Sequence, residues 1–173
     1  MAKWDSSYAL IKEADSIIFL GHGASDTLYG SPQDGEFTVL INETNIQELL
    51  YGKRCFILAC NSYEFCENYN LTSFIGFGNM PTGIVDVKIA MEADTTFPSL
   101  EKEDIDTYDA ALVSLLIRAF NVAWLTDMEK LYSKIRLYAN VEIGECLINK
   151  PCKMFREVAD LLQDFKNDCT YCP

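Results

Sequence analysis

A chain of 173 residues is long enough to bury one good core, and 49% hydrophobic with 23% charged residues is ordinary for a globular protein. The formal net charge of −12 argues against nucleic acid or an anionic membrane as partner, and its simplest role is to keep the chain soluble. No run approaches the about 18 to 20 apolar residues that cross a bilayer, and the opening MAKWDSSYALIKEADS has no apolar stretch ending in a small-residue cleavage site.

In chain order, SIIFLG is a short apolar run stopped by glycine and reads as a buried strand. GASDTLYGSPQDGEF is rich in turn formers and reads as a loop or loose hairpin, and EFTVLI as a second strand. NETNIQELLYGK has a polar start and a glycine stop, which predicts a short capped helix. RCFILACNS is the next buried strand, YEFCENYN a short helix after it, and SFIGFGN a third core strand closed by MPTG. This alternation predicts an α/β fold whose core strands run parallel in one mostly parallel sheet flanked by helices.

The second half changes character. MEADTTFPSLEKEDIDTYD reads as a long acidic connection. From Asp104, Ala111, Leu112, Leu115, Leu116, Ala119 and Phe120 recur at helical spacing. Thr126 with Glu129 three residues later suggests a capping box opening a second helix, and Pro151 suits the first turn of a third. The expectation is one domain over 1–173, with a sheet-building half followed by two or three helices that cover its faces. There is no internal repeat.

Any chemistry that needs an imidazole has one histidine to use, His22, set between two glycines at the end of the first strand. The RCFIL strand ends in Ala59, Cys60, Asn61 and Ser62. In an open α/β sheet, reactive groups gather at the carboxyl ends of the strands. If these two strands are adjacent and parallel, imidazole and thiol emerge at one edge. A neighbouring imidazole activates a thiol nucleophile and later protonates the leaving amine. Gly23 lets backbone approach a substrate, and its N–H with that of Cys60 could hold an oxyanion.

A strand running into GHG, then a hairpin and helix, then a strand running into AC and a polar pair, resembles the caspase-like cysteine peptidases, and most the CHAT type of that caspase, separase and clostripain clan. The likeness covers about residues 14–125 in order of elements, while only GHG and LACNS are specific in letters. The resemblance implies a caspase-like architecture and a thiol protease, a hydrolase with His22 as general base and acid, Cys60 as nucleophile and Gly23 as oxyanion donor. It implies no metal or organic cofactor, a protein or peptide substrate, and a regulatory protein partner that switches the enzyme. No third residue that would orient His22 is visible. The rival is the same fold as a catalytically silent scaffold. A nucleotide-binding domain has less support, because neither GHGASD nor GFGNMPTG gives a dinucleotide or phosphate-loop fingerprint.

Members of the clan that accept a basic P1 residue place a carboxylate near the pocket, and Asp26 and Asp86 follow the ends of core strands. Arg54, Arg118 and Arg136 sit on a strand start or on predicted helices, where they could not serve an acidic P1. Seven cysteines without a visible export signal read as reduced thiols in a cytoplasmic protein, with Cys55 and Cys66 as packing residues. Cys146, Cys152, Cys169 and Cys172 could form a zinc site, but the first pair lacks a common ligand spacing, so no metal is expected.

Overall fold

The computed structural model describes residues 2–30, 37–80 and 99–173. In chain order the elements are α1 (Ala2–Glu13), β1 (Ser16–Leu20), β2 (His22–Gly23), β3 (Leu28–Tyr29), β4 (Val39–Ile41), α2 (Ile46–Leu50) and β5 (Arg54–Leu58). They continue with α3 (Ser62–Asn68), β6 (Phe74–Gly76), α4 (Lys102–Val122), α5 (Met128–Asn149), α6 (Phe155–Asp168) and β7 (Thr170–Cys172).

The main sheet has the order β1-β5-β6-β7, with β1, β5 and β6 parallel and β7 antiparallel at the far edge. The EFTVLI strand forms as β4 but stays out of this sheet. It joins β2 and β3 in a separate antiparallel sheet, because a hairpin partner lies close in sequence while the parallel edge does not.

β5 shows why its sequence is apolar without a break. Cys55, Ile57 and Ala59 face one layer with Phe74, Ile46, Leu49, Phe65 and Cys66. Phe56 faces the other with Ile75, Phe77 and the three long helices. A central strand buried on both faces cannot alternate in polarity. On the helical side, Phe77 stacks on Phe165 of α6 at 4.9 Å, and Phe56 meets Phe120 of α4 edge-on at 5.1 Å. All three long helices therefore lie on one face, not on both as predicted. α2 and α3 line the other.

Several boundaries differ from expectation. The acidic connection is shorter, since α4 already starts at Lys102, and residues 81–98 lie outside the described ones. The N-cap of α5 is Asp127, whose carboxylate accepts the Lys130 N–H at 3.1 Å, so the Thr126 capping box does not form. α6 starts at Phe155, four residues past Pro151. Its Met154 N–H donates at 3.0 Å to Asp104, a residue of α4 that also accepts the Glu101 N–H at 2.9 Å. A cap supplied by another helix leaves no local sequence signal. α1 and β7 are additions to the predicted set.

Candidate functional site

β1 and β5 run in register to the same edge, with Leu20 beside Leu58 and the Gly21 N–H donating to the Leu58 carbonyl at 3.2 Å. One residue further, the chain turns from β1 into β2, where His22 pairs with Tyr29 and Gly23 with Leu28. The chain from β5 turns into Ala59, Cys60 and the helix α3. A Cβ on Gly23 would stand 2.5 Å from the Cys60 carbonyl oxygen and 3.0 Å from the Ala59 Cβ. The GHG and LAC segments thus lie backbone against backbone, so the tertiary structure brings the two predicted patches together.

His22 is half-buried, and its ring packs edge-on against Phe37 with centroids 4.7 Å apart. No carboxylate or amide orients the imidazole among the described hydrogen bonds; the buttress is aromatic. Phe37 was missed by sequence reasoning, because an exposed phenylalanine in a turn-rich stretch gives no periodic signal.

Cys60 is half-buried too. Its Sγ–H donates to the Met80 carbonyl at 3.1 Å, and the Met80 N–H donates back to Sγ at 3.4 Å. The turn that presents it is built from three features. Asn61 adopts the left-handed region at φ 55°, which asparagine tolerates better than most residues, and its N–H donates to the Gly78 carbonyl at 2.9 Å. The fully buried Ser62 hydroxyl donates to the Ile57 carbonyl at 2.7 Å and accepts the Phe77 N–H at 2.8 Å. Ser62 thereby ties the end of β5 to the segment after β6 and fixes the start of α3. Ser62→Ala should leave the buried Phe77 N–H without an acceptor and cost about 1–3 kcal/mol, read by chemical denaturation.

Asp26 is exposed, and the turn holding it is fastened to the far end of α3: the Tyr69 hydroxyl donates to the Asp26 carbonyl at 2.9 Å, and the Asn68 amide to that of Ser25 at 2.8 Å. α3 has seven residues, so this end is roughly 10 Å from Cys60. Asp86 lies outside the described residues.

Other carboxylates gather at the Cys60 end. Asp168 approaches Gly78, where an added Cβ would meet its Oδ2 at 2.5 Å. The buried Tyr108 hydroxyl has its pKa pushed up by burial first, then by the negative charges of Asp109, Asp164 and Asp168. Burial and the charges of Asp168 and Asp160 raise the Asp164 carboxyl as well. These aspartates come from α4 and α6, distant in sequence from both patches, so no motif announced them.

None of the seven cysteines is in a disulfide. Burial pushes the pKa of Cys55 up to about 12, of Cys169 to about 12 and of Cys152 to about 11, and it raises those of Cys66 and Cys146. Cys55 and Cys66 are packing residues, as their sequence context suggests. The four candidate zinc ligands are spread over both layers: Cys146, Cys152 and Cys169 pack among the long helices, Cys172 against the opposite layer. No group of three or more potential metal ligands occurs among the described residues.

No helix among the described residues is long and apolar enough to cross a membrane. No family model, no curated protein and no solved structure matches this chain.

Proposed function

We propose that this protein is a cysteine endopeptidase of caspase-like, CHAT-type architecture. The observation that carries this reading is the direct backbone contact of Gly23 with Cys60 where the parallel strands β1 and β5 end together. In the proposed reaction, a rotation about the Cys60 Cα–Cβ bond releases Sγ from Met80, and His22 takes the thiol proton. The thiolate attacks the scissile carbonyl, and the N–H groups of Gly23 and Cys60 hold the resulting oxyanion. His22 then gives its proton to the leaving amine, and the acyl-enzyme thioester remains. A water deprotonated by His22 hydrolyses that thioester and restores the thiol. No metal or organic cofactor enters these steps.

The substrate is a peptide or protein segment, and a basic P1 side chain suits the site. Asp164 and Asp168 lie near the Cys60 end of the fold and could accept a charge-assisted contact from that side chain, while Asp26 lies toward the other end of α3. A fluorogenic panel should show Arg and Lys peptides cleaved faster than Asp peptides. The reverse order would reject the basic preference without touching the dyad.

A second reading, a catalytically silent scaffold that binds a regulatory protein partner, is favoured by the thiol proton pointing at the Met80 carbonyl. Alkylation separates the two. Five cysteines are buried, so Cys172 is the internal reference for Cys60. A working dyad makes iodoacetamide label Cys60 at least tenfold faster than Cys172, with the advantage lost in His22→Ala. Equal rates, read by peptide mass spectrometry, would leave only the scaffold.

A further inference from the structure

Among the described residues, β1 is a sheet edge with no strand on its outer side. Sheet edges are normally blunted by charges, proline, bulges or a covering element, yet the stretch from Ser16 to Gly23 carries no Lys, Arg, Asp, Glu or Pro. In β1, residues 17, 19 and 21 turn their backbone groups toward β5, as the Gly21 N–H to Leu58 bond shows. Residues Ser16, Ile18 and Leu20 turn theirs outward, and no backbone partner for them occurs among the described residues. Ile18 is 41% and Leu20 67% exposed.

Both sides of this edge are apolar. On the α1 side, a cavity of about 480 Å³ runs along β1 between Leu10, Ala14, Leu40 and Leu49. On the long-helix side, Ile18 lies beside Phe56, which Phe120 of α4 covers. Val113 and Ile117 share the flank of α4 with Phe120 at helical spacing, and Trp124 packs on Phe120 at 5.2 Å. Val113, Ile117 and Trp124 are each more than half exposed. α4 therefore covers β5, while no helix among the described residues lies above β1.

We propose that this edge pairs with a second copy of the same chain, β1 to β1, antiparallel and centred on Ile18. The outward groups form an odd set, 16, 18 and 20, so a two-fold axis through Ile18 places 18 against 18 and 16 against 20. Every outward N–H and C=O then finds a partner, as an isologous interface requires. The two copies of β5 come to lie three strand spacings apart, roughly 14 Å. That gap between the two α4 helices is too narrow for another helix and matches the side chains of Ile117 and Trp124 from either flank. Leu10, Ile18, Leu20, Val113, Ile117 and Trp124 present roughly 100 Å² each, about 600 Å² in all, at the low end of the about 600–1,000 Å² per partner of a standard interface. A basic peptide is the lesser fit, because the edge itself is uncharged and offers it no carboxylate.

The test uses sedimentation equilibrium of the purified full chain at micromolar concentration. A dimer is expected, and Ile18→Lys or Ile117→Lys should raise its dissociation constant on the order of 100-fold. Both sites are solvent-exposed, and a wild-type far-UV circular dichroism spectrum with a cooperative melt shows that each variant folds. Register is read in a Cys60→Ser, Cys172→Ser background: Ile18→Cys should oxidise to a covalent dimer, since paired α-carbons there stand about 5.5 Å apart. Leu137→Cys, exposed on α5, should not. A monomer at all concentrations, a dimer indifferent to both lysines, or equal cross-linking at 18 and 137 would each overturn the proposal. A different protein seated on the edge would appear as the first of these.

Discussion

Gly23→Ala is expected to separate the two halves of the candidate site. The added methyl would stand 2.5 Å from the Cys60 carbonyl oxygen and 3.0 Å from the Ala59 Cβ, atoms that no rotamer change can move aside. The β2–β3 hairpin must lift from the end of β5, at a cost of about 1–3 kcal/mol. The alkylation rate of Cys60 should fall to that of Cys172, because the backbone that carries His22 no longer touches the backbone that carries the thiol. Gly144→Ala is the control. Gly144 lies inside α5 with nothing within 4 Å of its added Cβ, so this change should stabilise by about 0.5–1 kcal/mol through helix propensity. Denaturant midpoints moving in the same direction for both variants would show that contact at Gly23 is not what sets the cost.

The larger effect on stability is expected at Asp104. Its carboxylate is 1% exposed and accepts N–H groups from Glu101 and Met154, joining the start of α4 to the start of α6. Burial by itself would raise its pKa, but the two backbone donors, the Cys152 thiol and the nearby Lys153 outweigh that and hold it below the ordinary value. Asp104→Ala leaves these buried donors unsatisfied and should cost about 3 kcal/mol, or roughly 6–12 °C in Tm. The folded-state pKa is depressed, so this contribution is fully present above the ordinary carboxyl value of about 3.9. It is lost as pH falls through the lower folded value. Wild type and Asp104→Asn should therefore converge in stability on acidification below about pH 4. A gap that stays constant or widens there would contradict the role given to the ionised carboxylate.

These two positions also show what could and could not be read in advance. The strand ends carrying His22 and Cys60 were legible because SIIFL and RCFIL are apolar runs that end in small residues, and adjacency followed from the expected parallel sheet. The helix around Leu112, Leu115 and Ala119 was legible from its period. Asp104 was readable only as a helix-start residue; its bond to Met154 joins residues 50 apart. Ser62 looked like a polar residue after a cysteine, whereas its hydroxyl closes a turn with Phe77, 15 residues on. Asp26 looked adjacent to the site because it follows His22 closely, but Tyr69 draws that turn to the other end of α3.

By itself the sequence determined the local states: which segments extend, which coil, and that one imidazole and one thiol leave the carboxyl ends of strands. Those are properties of short windows, set by hydrophobic period and turn chemistry. The tertiary structure alone decided that β4 leaves the main sheet, that all three long helices choose one face, that aspartates from α4 and α6 collect near Cys60, and that β1 has no strand on its outer side among the described residues. Each of these outcomes depends on packing between residues far apart in the chain, where burial of apolar surface and pairing of backbone groups outweigh any local preference.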